Sequence, residues 1–444
     1  MTEKLYHKNF NILVLGQIIS LFGSSIQRFA LSLYLLDLTG SAGIFATILA
    51  ISMIPVVLIA PIAGMLADRG NKKRLMVILD VTSGVLLIGY LVLKVQGGNQ
   101  TMIIAVLMVL LSTISTIYQP VVNTCIPLLV HENHLIRANA IIQQVASLSN
   151  FLGPILAGVL YGTFGITGVV VINMVSFLFS AGIELLLDIP ARDKTKEEIS
   201  KVEDTHLSDT HLKEKESFIQ IFKKDMRESF HYLRFENKII FRMLLFSGFY
   251  NLFLVPVFSV VAPYLIKITL GLSSEVYGIT EGCIALGMIL GGLIIAWKPA
   301  MFHIKRVHRL LYITSVSMFI MAAAVLLFAS GKLSAIGSAI FFALAGMLIM
   351  GILGVANVLS AAYLYSEVEA TKLGKILAFG SAFATLCIPL GQILFGGLIE
   401  MFDSSLYWLI GIAGVFVLIV TLLVRWNVLQ IKDKRKLVFI NPSF

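Results

Sequence analysis

Gly64-Met65-Leu66-Ala67-Asp68-Arg69-Gly70-Asn71-Lys72-Lys73-Arg74 is the stretch on which the reading of this chain turns. From Asp68 to Arg74 it places five charges in seven residues, between apolar runs at 42–66 and 75–96 that are almost free of charge. A soluble protein seldom joins two such runs this way. Between two helices in a bilayer, the same pattern is a tight basic hairpin on the cytoplasmic side.

Composition agrees. The 444 residues are 58% hydrophobic and only 13% charged, with a mean hydropathy of +0.91; ordinary soluble chains are nearer a quarter charged. A membrane helix needs about 20 mainly apolar residues to cross ~30 Å at ~1.5 Å per residue. That ruler gives twelve spans, near 10–36, 42–66, 75–96, 101–123, 139–162, 166–188, 239–268, 276–298, 309–330, 334–364, 373–399 and 405–427. The expected fold class is an all-α integral membrane protein of twelve transmembrane helices in two six-helix lobes. The lobes are residues 1–190 and 238–430, joined by a polar cytoplasmic linker at 191–237 and followed by a cytoplasmic tail at 431–444. Within the linker, Phe218, Phe222, Met226, Phe230 and Leu233 recur at helical spacing among Lys223, Lys224 and Arg227, which predicts an amphipathic helix on the inner surface.

The net charge of +9 invites a nucleic-acid partner until its placement is read. With the N-terminus cytoplasmic, the loops left outside hold only Lys94, Lys267 and Lys332, and the remaining loop cations face the anionic inner leaflet. Both termini are therefore expected in the cytoplasm of a cell whose plasma membrane the chain crosses many times. The partners are the bilayer and a small molecule, with no nucleic acid. Cys125, Cys283 and Cys387 are far apart and read as small apolar residues. No phosphate-binding Gly-x-x-x-x-Gly-Lys-(Ser/Thr) is present, so an ATP-driven pump is not expected. The histidines lie in loops, which leaves a membrane enzyme without a ligand cluster. No cofactor and no metal are expected.

The halves resemble each other at a constant shift of 235. Gly43-Ile44 meets Gly278-Ile279, Met53-Ile54 meets Met288-Ile289, Pro154 meets Pro389 and Gly162 meets Gly397. Internal duplication of this kind marks secondary transporters, whose substrate site lies between the repeats.

Twelve spans, a six-and-six division and the loop after the second span together resemble the major facilitator superfamily. Its loop signature, Gly-x-x-x-Asp-Arg-x-Gly-(Arg/Lys)-(Arg/Lys), is met by Gly64, Asp68, Arg69, Lys72 and Lys73, while Asn71 stands where glycine is usual. The resemblance implies an inward gate closed by pairing of Asp68 with cations across the lobes, Arg74 included, with Gly64 allowing close approach. Phe151-Leu-Gly-Pro-Ile-Leu-Ala-Gly158 resembles the fifth-helix motif of the superfamily's exporters, in which Gly153, Pro154 and Gly158 would kink the helix and admit a partner. Ile136-Arg-Ala-Asn-Ala140, Leu15-Gly-Gln-Ile-Ile-Ser20 and Leu36-Asp-Leu-Thr-Gly-Ser41 look like the macrolide-efflux branch.

The function expected from this resemblance is export of hydrophobic, macrolide-like drugs by proton antiport through alternating access, by a monomer. The rival readings are export of an endogenous siderophore or lipid, and nutrient import on the same fold. Ionisable groups within spans are costly, so Glu281, Arg28 and Asp37 are the candidates for proton coupling, Glu281 first, with Arg28 as its charge partner or as a substrate contact. Asp80 is assigned to the gate beside Arg69 or Arg74, and Glu184 and Asp188 to solvent at the end of the sixth span. By family resemblance, the first, fourth, seventh and tenth spans line the cavity. Gln17, Gln119, Tyr250, Asn251 and Asn357 are its candidate polar residues, among aromatics suited to a bulky lipophilic compound. The fourth span lacks the basic residue that many exporters of the superfamily carry there.

Overall fold

The structure is a computed structural model that describes residues 8–189, 226–402 and 405–431. Most of the linker, the tail beyond Ile431 and the side chain of Arg69 lie outside the described residues, and with them most of the expected surface helix. The described residues hold eleven helices long and apolar enough to cross a membrane. They are α1 (Lys8–Thr39), α2 (Ala42–Arg69), α3 (Lys72–Val95), α4 (Gln100–Leu129), α5 (Leu135–Glu184), α6 (Lys238–Phe253), α7 (Ser274–Trp297), α8 (Val307–Ala329), α9 (Ala335–Glu367), α10 (Ala370–Met401) and α11 (Leu406–Leu429). Beyond Phe253, α6 continues to Thr269 largely in π-helical turns at Val257–Val261 and Leu265–Thr269.

Small polar residues start several of these helices. Ser41, Asn71, Asn99 and Ser334 each accept a hydrogen bond from the backbone N–H three residues on, satisfying a donor the first turn leaves open. Asn71, the departure from the loop signature, thus caps α3 through the Arg74 N–H at 3.1 Å. Outward faces carry exposed Leu58, Ile78, Phe179 and Trp408. In water such a surface would aggregate; against lipid tails it is the solvated face.

The fifth and sixth predicted spans make one continuous element, α5, and Gly165 explains how. Its φ of 61° and ψ of −177° interrupt the helix, whereas the backbone through Pro154 stays helical. Gly153 packs on Ser25 of α1, and Asn173 lies against Gly23, two residues away on the same helix. Twenty residues of straight helix would separate these contacts by ~30 Å. The chain therefore doubles back at Gly165, where a left-handed φ is available to glycine without a Cβ penalty.

Within residues 8–189, α1 packs chiefly on α5 and α2 on α4; in the second half α7 packs on α9, and α8 on both α9 and α11. The two largest contacts between the halves are α2 with α10 and α5 with α7. The 235-residue shift sends α2 to α7 and α5 to α10, so it carries one contact onto the other. That is the property of an interface related by a two-fold axis.

The Gly70–Asn71 turn lies at one end of the bundle, the loop end; Gly40, Gly97, Gly165, Gly271 and Gly331, all with positive φ, mark the turns of the far end. Just before α6, Glu228 accepts a hydrogen bond from Lys375 of α10 at 3.1 Å, Lys372 lies 4.5 Å over the Tyr232 ring and Leu233 is fully buried. The described part of the linker is thus docked on the second half.

Candidate functional site

A cavity of about 800 Å³ lies between the halves. The first half supplies most of its wall, from α1 to α5, and the second half adds Ser259, Tyr277, Glu281 and Gln392. Arg28 faces the cavity, and among the described residues it makes no hydrogen bond or ion pair. Glu281 faces it from α7, its Oε1 accepting a 3.2 Å hydrogen bond from the Tyr277 hydroxyl. Tyr277 is held in turn by stacking on Phe29 of α1, centroids 4.8 Å apart. An unpaired guanidinium and a half-buried carboxylate thus face one space from opposite halves. The rest of the wall is rich in hydroxyls, among them Ser24, Ser25, Ser52, Ser112 and Ser115, with Gln119 and Asn150. Most of the wall's surface is nonetheless apolar, from side chains such as Leu21, Phe29, Met53, Met108, Leu111 and Phe177, so hydroxyls stand among aliphatic groups more than among the aromatic ones predicted.

The far end of the cavity is closed by contacts between the halves. Asp37 pairs with Lys267 at 3.4 Å and accepts a 2.8 Å hydrogen bond from Tyr161, while Lys267 donates to Ser274 at 2.9 Å. Glu400 of α10 accepts from the Ser41 hydroxyl at 2.5 Å and from the Gly43 N–H at 3.1 Å. Between them the helices touch backbone to backbone. A Cβ on Gly278 would lie 2.5 Å from the Pro154 carbonyl oxygen, and one on Gly158 would lie 2.6 Å from that of Ser274. At the loop end, Lys72 donates to the Asp68 carbonyl at 3.1 Å, within its own turn. Among the described residues, Asp68, Lys73 and Arg74 make no hydrogen bond or ion pair with the second half. A Cβ on Gly64 would meet nothing within 4 Å. Among the described side chains, neither the close approach expected of Gly64 nor a cross-half pair of Asp68, Lys72, Lys73 or Arg74 is present in this conformation.

Below the cavity, toward the loop end, two carboxyl groups are buried inside the first half. Asp80 (2% exposed) accepts from the Ser20 hydroxyl at 3.3 Å, and Glu184 is fully buried, accepting from Tyr118 at 2.5 Å. Tyr118 accepts from the Gln17 amide at 2.9 Å, and Ser180 donates to the Gly16 carbonyl at 3.4 Å. Asp80 and Tyr118 also line the cavity; Glu184 lies behind them. Two expectations are corrected here. Asp80 faces Ser20 across the helix packing and not Arg74. Glu184 is covered by α1 and α4 and does not meet water; only Asp188, tied to Asn9 at 2.7 Å, is at the surface.

The sequence matches the family model described as Major Facilitator Superfamily over residues 13–356. The chain belongs to the major facilitator superfamily. Among curated relatives, macrolide efflux protein A of Streptococcus pyogenes is 24% identical over 383 residues, covering 85% of this chain and 86% of that one. The protein of the same name from Enterococcus faecalis is 24% identical over 356 residues, 79% of this chain and 99% of that one. Among solved structures, a bacterial homologue of the iron transporter ferroportin in its inward-facing state superposes with a TM-score of 0.68 at 17% identity, covering 94% and 98% of the two chains. A bacterial homologue of the lysosomal transporter Spinster gives 0.69 at 13% identity, covering 95% and 98%. These two establish the fold alone. This superfamily member is a membrane transporter and not an enzyme.

Of the polar residues predicted from the superfamily's cavity, Gln119 lines it. Gln17 is buried in the Asp80–Glu184 cluster. Tyr250 is packed within the second half, its hydroxyl 2.6 Å from that of Thr421, and Asn251 ties α6 to the Ala384 carbonyl of α10 at 2.9 Å. Asn357 is exposed and lines no described cavity. The fifth-helix motif divides its work. Gly158 and Pro154 meet α7 of the second half, and Gly153 meets Ser25 of α1.

Proposed function

We propose that this transporter is a secondary exporter that exchanges protons for a bulky, oxygen-rich, macrolide-like solute. The observation that carries the reading is the 800 Å³ cavity with Arg28 and Glu281 facing it from opposite halves, a size suited to one large ligand. Glu281 is the carrier carboxylate; when it releases its proton it becomes a counter-charge for Arg28 or for an amine on the solute. The macrolide efflux relatives support the substrate class, and a largely apolar wall dotted with serine hydroxyls suits a bulky lipophilic solute that also carries hydrogen-bonding oxygens.

In this reading α5 crosses twice, giving twelve passes in two six-helix lobes, residues 1–190 and 238–430. The basic loop end faces the cytoplasm by the positive-inside rule, so the cavity, closed at the far end, is open inward. The lobes of a monomer rock about the α2–α10 and α5–α7 contacts, and the Asp68–Arg74 loop closes the cytoplasmic side in the other half of the cycle.

The test is transport of a macrolide and of a lipophilic cationic dye in inside-out vesicles, with and without an imposed pH gradient, for the native chain and Glu281→Gln. Gradient-driven macrolide uptake lost in Glu281→Gln is the expected result. Uptake unchanged by the substitution removes Glu281 from the mechanism. Movement of neither compound points to an endogenous solute such as a siderophore, which the same wall would also suit.

A further inference from the structure

The buried pair Asp80 and Glu184 is not used by the mechanism above, and among the described residues no Lys, Arg or His forms an ion pair with either carboxyl group. Two carboxyl groups in the interior of a membrane protein are costly unless paired or neutral. The groups packed around them are known. From α1 come Gln17 and Ser20, from α4 Tyr118 and Cys125, and from α5 Ser180 and Glu184 itself. Lys72, about two turns from Asp80 along α3, donates to the Asp68 carbonyl and acts on this cluster only through the field it exerts at Cys125. Arg28 is on the same cavity wall but about two turns further along α1.

Hydrogen bonding gives the second, independent observation. The hydroxyls of Ser20 and Tyr118 and the amide of Gln17 already donate within the cluster, and Ser180 donates to the Gly16 carbonyl. Three buried acceptor oxygens remain without a donor: Asp80 Oδ2, Glu184 Oε2 and Gln17 Oε1. Gln17 is itself fully buried and is drawn into the cluster by its bond to Tyr118. What the cluster lacks is hydrogen to donate, and buried acceptors are rarely left bare.

We infer that Asp80 and Glu184 form a proton-binding site of the first half, separate from Glu281, in which a carboxyl hydrogen supplies the missing donor. Asp80 and Tyr118 open the site to the cavity. A proton reaches Glu184 through Tyr118, whose hydroxyl oxygen accepts it from a hydronium ion in the cavity as its own hydrogen passes to the carboxylate, leaving water, a neutral tyrosine and a neutral carboxyl group. The inference deepens the proton-antiport reading and rests on it only for the use made of the proton; binding is measurable without transport.

The experiment is a pH titration of the full chain in lipid nanodiscs by infrared difference spectroscopy, reading the carbonyl stretch of protonated carboxyl groups. The native protein, Glu184→Gln, Asp80→Asn, Tyr118→Phe and Glu281→Gln are compared in sodium and in choline salts. The expected result is a titrating band that is lost in Glu184→Gln, diminished in Asp80→Asn, displaced in midpoint by Tyr118→Phe and retained in Glu281→Gln. A titrating band that survives both Glu184→Gln and Asp80→Asn, or that vanishes only with Glu281→Gln, overturns the site. So does a titration that sodium suppresses and choline does not, since the ligand would then be a metal cation. If Glu184→Gln fails to fold, the midpoint in Tyr118→Phe decides, and an unmoved midpoint counts against the site. Behaviour as expected in a protein that exports neither test compound leaves the proton site standing and removes the macrolide reading of the substrate.

Discussion

Asp37 accepts a hydrogen bond from Tyr161 of its own half and an ion pair from Lys267 of the other, at the end of the bundle where the cavity is closed. The lysine side chain is 15% exposed and that of the aspartate 30%, so the pair is partly screened and worth about 1 kcal/mol. Asp37→Asn should therefore shift the balance between far-end-closed and far-end-open forms by roughly fivefold. Distances between spin labels on the two halves measure it; a balance that does not move means the pair follows the closure without holding it. Residues such as this show where reading the sequence alone stops. Asp37 was visible as an ionisable group in an apolar span and so as a coupling candidate, but its partner is 230 positions away and is brought near only by the packing of the halves. Glu184 is the converse. It ends an apolar span, so helix length alone puts it at the water boundary, and only the start of α1 and the body of α4 lying over it make it buried. A signal was present: Gln17, Ser20, Ser24 and Gln27 form a polar stripe at helical spacing on α1, and such a stripe within a membrane needs polar company.

Helices α5 and α7 meet through glycine and carbonyl oxygen. Gly278→Ala puts a methyl group 2.5 Å from the Pro154 carbonyl oxygen, and such overpacking costs typically 1–3 kcal/mol. The closed far end should lose about tenfold or more of its population, seen as labelling of a cysteine placed in the cavity wall by an impermeant thiol reagent. Gly64→Ala meets open space here. It should leave thermal stability of this conformation unchanged and reduce turnover only if the loop ends come together in the other half of the cycle. A variant as active as the native chain would release Gly64 from the gate. At this scale the sequence was most readable. Apolar runs and their breaks placed the helices, the break between 162 and 166 fell at the Gly165 reversal, and the shift of 235 pointed to the pairs that the two contacts between halves exchange. It could not show that Pro154 leaves the backbone helical while Gly165 turns it, because both residues interrupt an apolar run in the same way.

For the whole molecule, the distribution of cations predicts orientation. In intact cells, Gln96→Cys at the far end should react with an impermeant maleimide and Arg74→Cys at the loop end should not; the reverse pattern would invert the topology and with it the direction of export. Both positions are exposed, and two of the three native cysteines are buried. The far end has a further consequence. Its described connections are a two-residue step at Gly40–Ser41, the single Gly165, and short turns at 96–99, 270–273 and 330–334. Once these are level with the headgroups, the described turns leave little polypeptide standing above the membrane on that side. With the far end outward, as proposed, an antibody approaching from there meets only these narrow turns among the described residues, which favours blockers small enough to pass between the helices.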